Sequence, residues 1–146
     1  MRLSLQRVLH AKVEVEGKTV GQIGPGLLVL VGFTGTDTAG LLPAAISKLT
    51  QLRIFADSAG KLNLSLRDTG GSLLLISQFT LYANCSRGRR PDFTHAAEPQ
   101  LALELYNQFV TLCRETGLPV ETGIFAADMQ VSLLNDGPIT MNLEFS

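Results

Sequence analysis

Two short stretches carry the residue types that could do chemistry. The first, Ser77-Gln78-Phe79-Thr80-Leu81, places polar residues at the end of an apolar run. A strand that stops in such residues presents backbone N–H groups. Donors of that kind, aimed at one point, can hold the oxyanion that develops during acyl transfer. Gln78, Phe79 and Thr80 are the candidates for that role, with Ser77 beside them. Thr80 also offers a hydroxyl nucleophile, which needs an activating base, and none lies nearby in the sequence. The plainer reading of the same residues is a strand end with Phe79 buried and the polar groups on the surface. The second stretch, Asn135-Asp136-Gly137-Pro138-Ile139-Thr140, puts turn-forming residues between two strand-like segments. Tight turns are where cis X-Pro bonds are found, although Gly24-Pro25 reads as an ordinary turn of the same dipeptide.

The more usual catalytic apparatus is missing. His10 and His95 are the only histidines, and neither sits in an HExxH, triad or paired-cysteine frame, so no metal site is expected. GxSxG, GxxxxGK[ST] and GxGxxG are all absent, which leaves nucleotide-cradling loops unsupported. Arg87-Gly88-Arg89-Arg90 is the one dense basic cluster. Flanked by Pro91, it reads as an exposed loop, either simply solvated or in contact with phosphates.

A chain of 146 residues fits one domain with a real core, and 45% apolar against 17% charged residues excludes a disordered chain. A net charge of −1 excludes a basic field over the whole protein, so any contact with RNA must be local. Met1 to Arg7 lacks the long apolar region of a secretory signal, and the apolar run Leu27 to Val31 is far too short for a bilayer. Cys85 and Cys113 form no CxxC pair, which suits free thiols in a reduced, cytoplasmic setting.

The elements that must position the two stretches follow from hydrophobic period. Leu3 to Leu9 alternates, Val13 and Val15 continue to a hairpin turn at Gly17-Lys18, and Val20 to Ile23 returns. Leu27 to Val31 and Ser72 to Ile76 are buried strands, the latter delivering Ser77 to Thr80. Leu41, Leu42, Ala45, Ile46, Leu49 and Leu52 fall at helical spacing within Thr38 to Arg53, with Pro43 in a first turn. Leu62 to Leu66 looks extended. Glu98 to Glu115 is a second helix, stopped by Gly117 and Pro119. Val120 to Phe125, Met129 to Leu134 and Ile139 to Phe145 are three closing strands. The predicted fold is a single α+β domain over residues 1–146. Its mostly antiparallel strands form a barrel-like or two-sheet core with two main helices.

Along nearly its whole length the chain resembles the D-aminoacyl-tRNA deacylases. The colinear blocks are Gln6-Arg7-Val8, Gly24 to Leu30, Leu52-Arg53-Ile54-Phe55, Asn63-Leu64-Ser65 and Ser77 to Leu81, then Gly88-Arg89-Arg90-Pro91 with Phe93, Ala127 to Leu133, and Asn135-Asp136-Gly137-Pro138. The resemblance implies an enzyme that hydrolyses the ester between a D-amino acid and the terminal adenosine of tRNA, without a cofactor. It implies a homodimer with the site at the interface. A cis Gly137-Pro138 would reach the partner's pocket, where its carbonyls exclude an L side chain and tolerate a D one. Glycine carries no offending group, so glycyl-tRNA would also be cleaved. The 2′-hydroxyl of the terminal ribose would help activate water, which accounts for the missing side-chain base. Phe125 and Met129 would pack the adenine, Ser77 would join them in binding the substrate, and Arg7 would brace the Gly-Pro loop. Charge alone suggests Arg89 and Arg90 as phosphate contacts. No membrane or DNA partner is expected. Two other readings stay open: an esterase with Thr80 as covalent nucleophile, and a non-catalytic RNA-binding dimer.

Overall fold

The computed structural model describes residues 1–146. In chain order the elements are β1 (Arg2–Val15), β2 (Lys18–Ile23), β3 (Gly26–Gly32), α1 (Leu42–Gln51), β4 (Phe55–Ala56), β5 (Leu62–Leu64), α2 (Leu66–Thr69), β6 (Ser72–Ser77), α3 (Pro99–Glu115), β7 (Val120–Thr122) and β8 (Gln130–Glu144). The main sheet runs β2-β1-β3-β6-β7, and β8 lies along β1 as well. The long β1 pairs antiparallel with β2, β3 and β8. The pairs β3-β6 and β6-β7 are parallel, which makes the sheet mixed. Parallel neighbours need crossovers, and α1 with the small β4-β5 ribbon and then α3 provide them.

The centre of the sheet is buried on both faces, which is why β3 and β6 read as unbroken apolar runs. Leu27, Val29, Val31, Leu73 and Leu75 pack against α1 and α3 through Leu49, Leu105 and Phe109. Leu28, Leu74 and Ile76 face a second, smaller core with Val8, Ala11, Val13 and Ile23. β1 serves both cores by changing faces part-way. Leu3 and Leu5 belong to the first and Ala11 and Val13 to the second, although all four are odd-numbered. Register shifts in the pairing with β8, between Gln6 and Val8 and between Val8 and His10, insert the irregularity that reverses the alternation. The strand thus curls, and β2 and the start of β8 close over the second core in a barrel-like way.

Several boundaries differ from the sequence reading; α1 keeps to Leu42–Gln51, after a 3-10 turn at Ala39–Leu41, within the expected Thr38 to Arg53. The hairpin turn is Glu16-Gly17, one residue early, because both residues take positive φ (50° and 74°) as a two-residue turn between Val15 and Lys18 requires. The extended stretch from Leu62 stops at Leu64, because Ser65 caps α2: its hydroxyl accepts from the Asp68 N–H, and the Asp68 carboxylate accepts from the Ser65 N–H. β7 ends at Thr122 rather than Phe125. The last two expected strands are one element, β8, which carries Gly137-Pro138 within it as a bulge against β1.

Candidate active site

β6 delivers Ser77 beside Val31 of β3, and the Gln78 N–H donates to the Val31 carbonyl at 2.8 Å. The chain then leaves the sheet in a 3-10 turn, Phe79–Tyr82. The first N–H groups of such a turn have no partner within it. Those of Phe79 and Thr80 are therefore the donors on offer, while that of Gln78 is already used in the sheet. Gly32 lets this backbone come close: a Cβ there would lie 2.8 Å from the Gln78 carbonyl oxygen and 3.1 Å from Leu81 Cβ.

Thr80 is exposed, and its hydroxyl accepts a 2.5 Å hydrogen bond from the Gln78 side-chain amide. An amide N–H cannot take the hydroxyl proton, so this contact does not activate Thr80 as a nucleophile. Phe79 is also exposed (56%), against the plainer sequence reading that buried it. Its ring meets Phe93 edge-on at 5.0 Å.

Ser77, Gln78 and Phe79 line a mostly apolar cavity of about 600 Å³. Phe125 and Met129, from the segment between β7 and β8, form another part of its wall, and Ala102 and Tyr106 of α3 a third. Such a volume suits a small organic ligand. Tyr106 is a prop that sequence reasoning missed, although its place on the buried face of the predicted helix was visible. Its hydroxyl donates to the Leu75 carbonyl at 2.9 Å, and its ring lies 6.0 Å from that of Phe125. Burial pushes this phenol up to about 12, so it stays a donor at neutral pH. Glu98 is the only carboxylate in the lining.

Gly137 and Pro138 do not line this cavity. They stand exposed on β8, joined by a cis bond. Gln6 pairs with Thr140 and Val8 with Asn135, so Asp136 to Ile139 stand opposite Arg7 alone. The Asn135 side chain ties off the base of this loop. It accepts from the Ile139 N–H at 3.2 Å and donates to the Thr140 hydroxyl at 2.9 Å. Arg7, 9% exposed, donates to the Ile54 carbonyl at 2.7 Å and pairs with Asp136 at 3.0 Å. The Nε–H is not aimed at that carboxylate, so the contact is an ion pair rather than a hydrogen bond. Arg89 and Arg90 are exposed, in a loop closed where Asn84 and Asp92 pair, and neither is in an ion pair.

A family model described as D-Tyr-tRNA(Tyr) deacylase matches residues 4–144. The chain belongs to that family. The D-aminoacyl-tRNA deacylase of Thermosipho africanus is 54% identical over 144 residues, covering 99% of this chain and 97% of the relative. That of Solidesulfovibrio magneticus is 57% identical over 151 residues, covering 99% and 95%. Among solved structures, a c-Myc DNA unwinding element binding protein superposes with a TM-score of 0.94 at 38% identity, over 100% of this chain and 99% of that one. A probable eukaryotic D-amino acid tRNA deacylase superposes at 0.84 over 97% of both chains; at 20% identity this likeness bears on the fold alone. The family's mixed, nearly closed sheet with two main helices is therefore the architecture that holds the cavity beside Phe79.

Proposed function

We propose that this chain hydrolyses the ester linking a D-amino acid to the terminal adenosine of tRNA, releasing both. One observation carries the reading in a chain of this family: a 3-10 turn, whose first N–H groups are those of Phe79 and Thr80, begins at Phe79 in the wall of an apolar cavity that Phe125 and Met129 also line. Adenine packs against Phe125 and Met129. The scissile carbonyl faces the two N–H groups, which hold the oxyanion as water attacks. No side-chain base engages Thr80, and the 2′-hydroxyl of the bound ribose is held next to the ester, where it helps activate water. The substrate itself thus completes the catalytic set.

Chirality is read by Gly137 and Pro138 of a second copy of the chain. Their exposure, outside the lining of the cavity in their own chain, suits a loop that acts on a partner. Arg7 and Asn135 hold the loop from both sides, so its carbonyls cannot yield to an L side chain. A D side chain points away from them, and glycine has none, so glycyl-tRNA is cleaved as well. Arg89 and Arg90 meet tRNA phosphates, a contact that weakens with salt.

Deacylation of matched D-tyrosyl-tRNA and L-tyrosyl-tRNA by the purified protein tests the reading. Rapid cleavage of the D ester alone is expected. Equal cleavage of both would overturn the selector, and cleavage of neither would overturn the activity.

A further inference from the structure

A second cavity, of about 370 Å³, is lined by Arg2, Thr34, Tyr82, Ala83, Asn84 and His95. It adjoins the first along three chain segments. Phe33 lines the apolar cavity and Thr34 this one; Phe79 lines the first and Tyr82 to Asn84 the second; Ala96 lines the first and His95 the second. Thr34 and Ala96 themselves form a β-bridge between the segments. The two cavities therefore lie against the same three segments.

The lining changes character between the two, from apolar to hydrogen-bonding. Arg2 is fixed over the Tyr82 ring at 4.5 Å, donates to the Leu81 carbonyl at 3.0 Å and pairs with the exposed Glu144. Three of its five N–H groups are used, which leaves two for a ligand. The Asn84 carbonyl accepts from the Ser86 N–H, leaving the Asn84 amide N–H₂ open. The His95 ring makes no hydrogen bond within the chain, since Thr34 binds only the His95 backbone carbonyl. Asn84 also opens the loop that carries Arg87, Arg89 and Arg90.

We infer that this cavity is the subsite for the nucleotide preceding the terminal adenosine, with Arg2 and His95 toward its phosphate and Asn84 toward its base. The inference rests on the deacylase reading above. A polar, donor-rich cavity beside an apolar one matches a phosphodiester-linked nucleotide beside a bound aminoacyl-adenosine. It implies that the protein reads the single-stranded 3′ end rather than the terminal nucleoside alone.

The test compares D-tyrosyl esters of adenosine and of the dinucleotide cytidylyl-adenosine. The variant carries His95→Ala with Asn84→Asp, which keeps the bond from Ser86 but replaces the donor with a negative charge. Both side chains are exposed, so the variant is expected to fold. Wild-type protein is expected to show a KM about tenfold lower for the dinucleotide ester, with similar kcat. The variant should lose that advantage and cleave the adenosine ester as wild type does. Equal KM for the two esters in wild type, or a preference that survives in the variant, would overturn the subsite alone. No cleavage of either ester by wild type would overturn the deacylase reading and the subsite with it.

Discussion

Arg7 and Asp136 form an ion pair at 3.0 Å across the point where β1 and β8 lose register. The pair joins a buried guanidinium to the residue that enters the Gly-Pro loop. Arg7 also reaches back to the Ile54 carbonyl, so one side chain couples the loop to the segment after α1. Gly137 has a φ of +121°, which favours glycine, and a Cβ there would sit tightly at 3.2 Å from Arg7 Nη2.

Arg7→Ala frees the loop. Cleavage of L-tyrosyl-tRNA should rise, and the D-to-L ratio of kcat/KM should fall at least about tenfold, equivalent to roughly 1.4 kcal/mol. Orphaning the Ile54 carbonyl should also lower stability by about 1–3 kcal/mol, readable by urea denaturation. An unchanged ratio in a folded variant would remove Arg7 from the selector.

Gly32→Ala acts on the proposed donors. The new Cβ would press on the Gln78 carbonyl and Leu81, displacing the turn that presents Phe79 and Thr80. A loss of about 10²–10³ in kcat is expected, as for removal of an oxyanion donor. Circular dichroism should show the fold retained. Wild-type kcat in this variant would argue that the turn does not hold the reacting carbonyl.

Thr80→Ala should keep kcat within about tenfold of wild type, because the hydroxyl is held by an amide and not by a base. Glu98→Gln should leave the pH profile of kcat/KM unmoved. Substrate tRNA ending in 2′-deoxyadenosine should instead react about 10²–10⁴-fold more slowly. Complete loss in Thr80→Ala, with a trapped acyl-enzyme, would restore the Thr80 nucleophile.

Asp37→Asn tests the frame next to the site. The Asp37 carboxylate accepts from the Met1 ammonium at 2.7 Å and from the Thr34 N–H at 2.9 Å, with both charged groups almost fully buried. Breaking such a pair should cost about 3–5 kcal/mol. A denaturation midpoint near that of wild type would contradict it.

Alkaline stability follows from three buried acids. Burial raises Cys113 from 9.0 to about 12, and Tyr82 and Tyr106 from 10.0 to about 12. The folded state then holds protons that the unfolded state has lost, so stability falls as pH rises from about 9 toward 12 and is unaffected below that window. In Cys113→Ala the decline should begin about one pH unit later, near the ordinary tyrosine range. Melting curves from pH 8 to 11 read this directly, and an identical onset in both proteins would count against Cys113 as the first group to titrate.

Local chemistry in the sequence by itself determined the elements and singled out the two candidate stretches. The helical spacing of Leu41 to Leu52, the apolar runs of β3 and β6, and the polar end at Ser77 to Thr80 are each set by residues a few positions apart. Family membership was legible for the same reason, since the matching blocks are contiguous. Only the tertiary structure decided the rest. The curl of β1 arises from a register shift against β8, more than a hundred residues away, and no period within β1 encodes it. The same pairing sets Arg7 against Asp136 and merges two expected strands into one. The Gln78 N–H is taken up by the carbonyl of Val31, a partner from another strand, which leaves Phe79 and Thr80 as the proposed donors. Tyr106 meets Phe125 only because α3 crosses over β6. Backbone hydrogen bonds and packing contacts between distant segments depend on how the chain closes on itself, so these features became visible only in the fold.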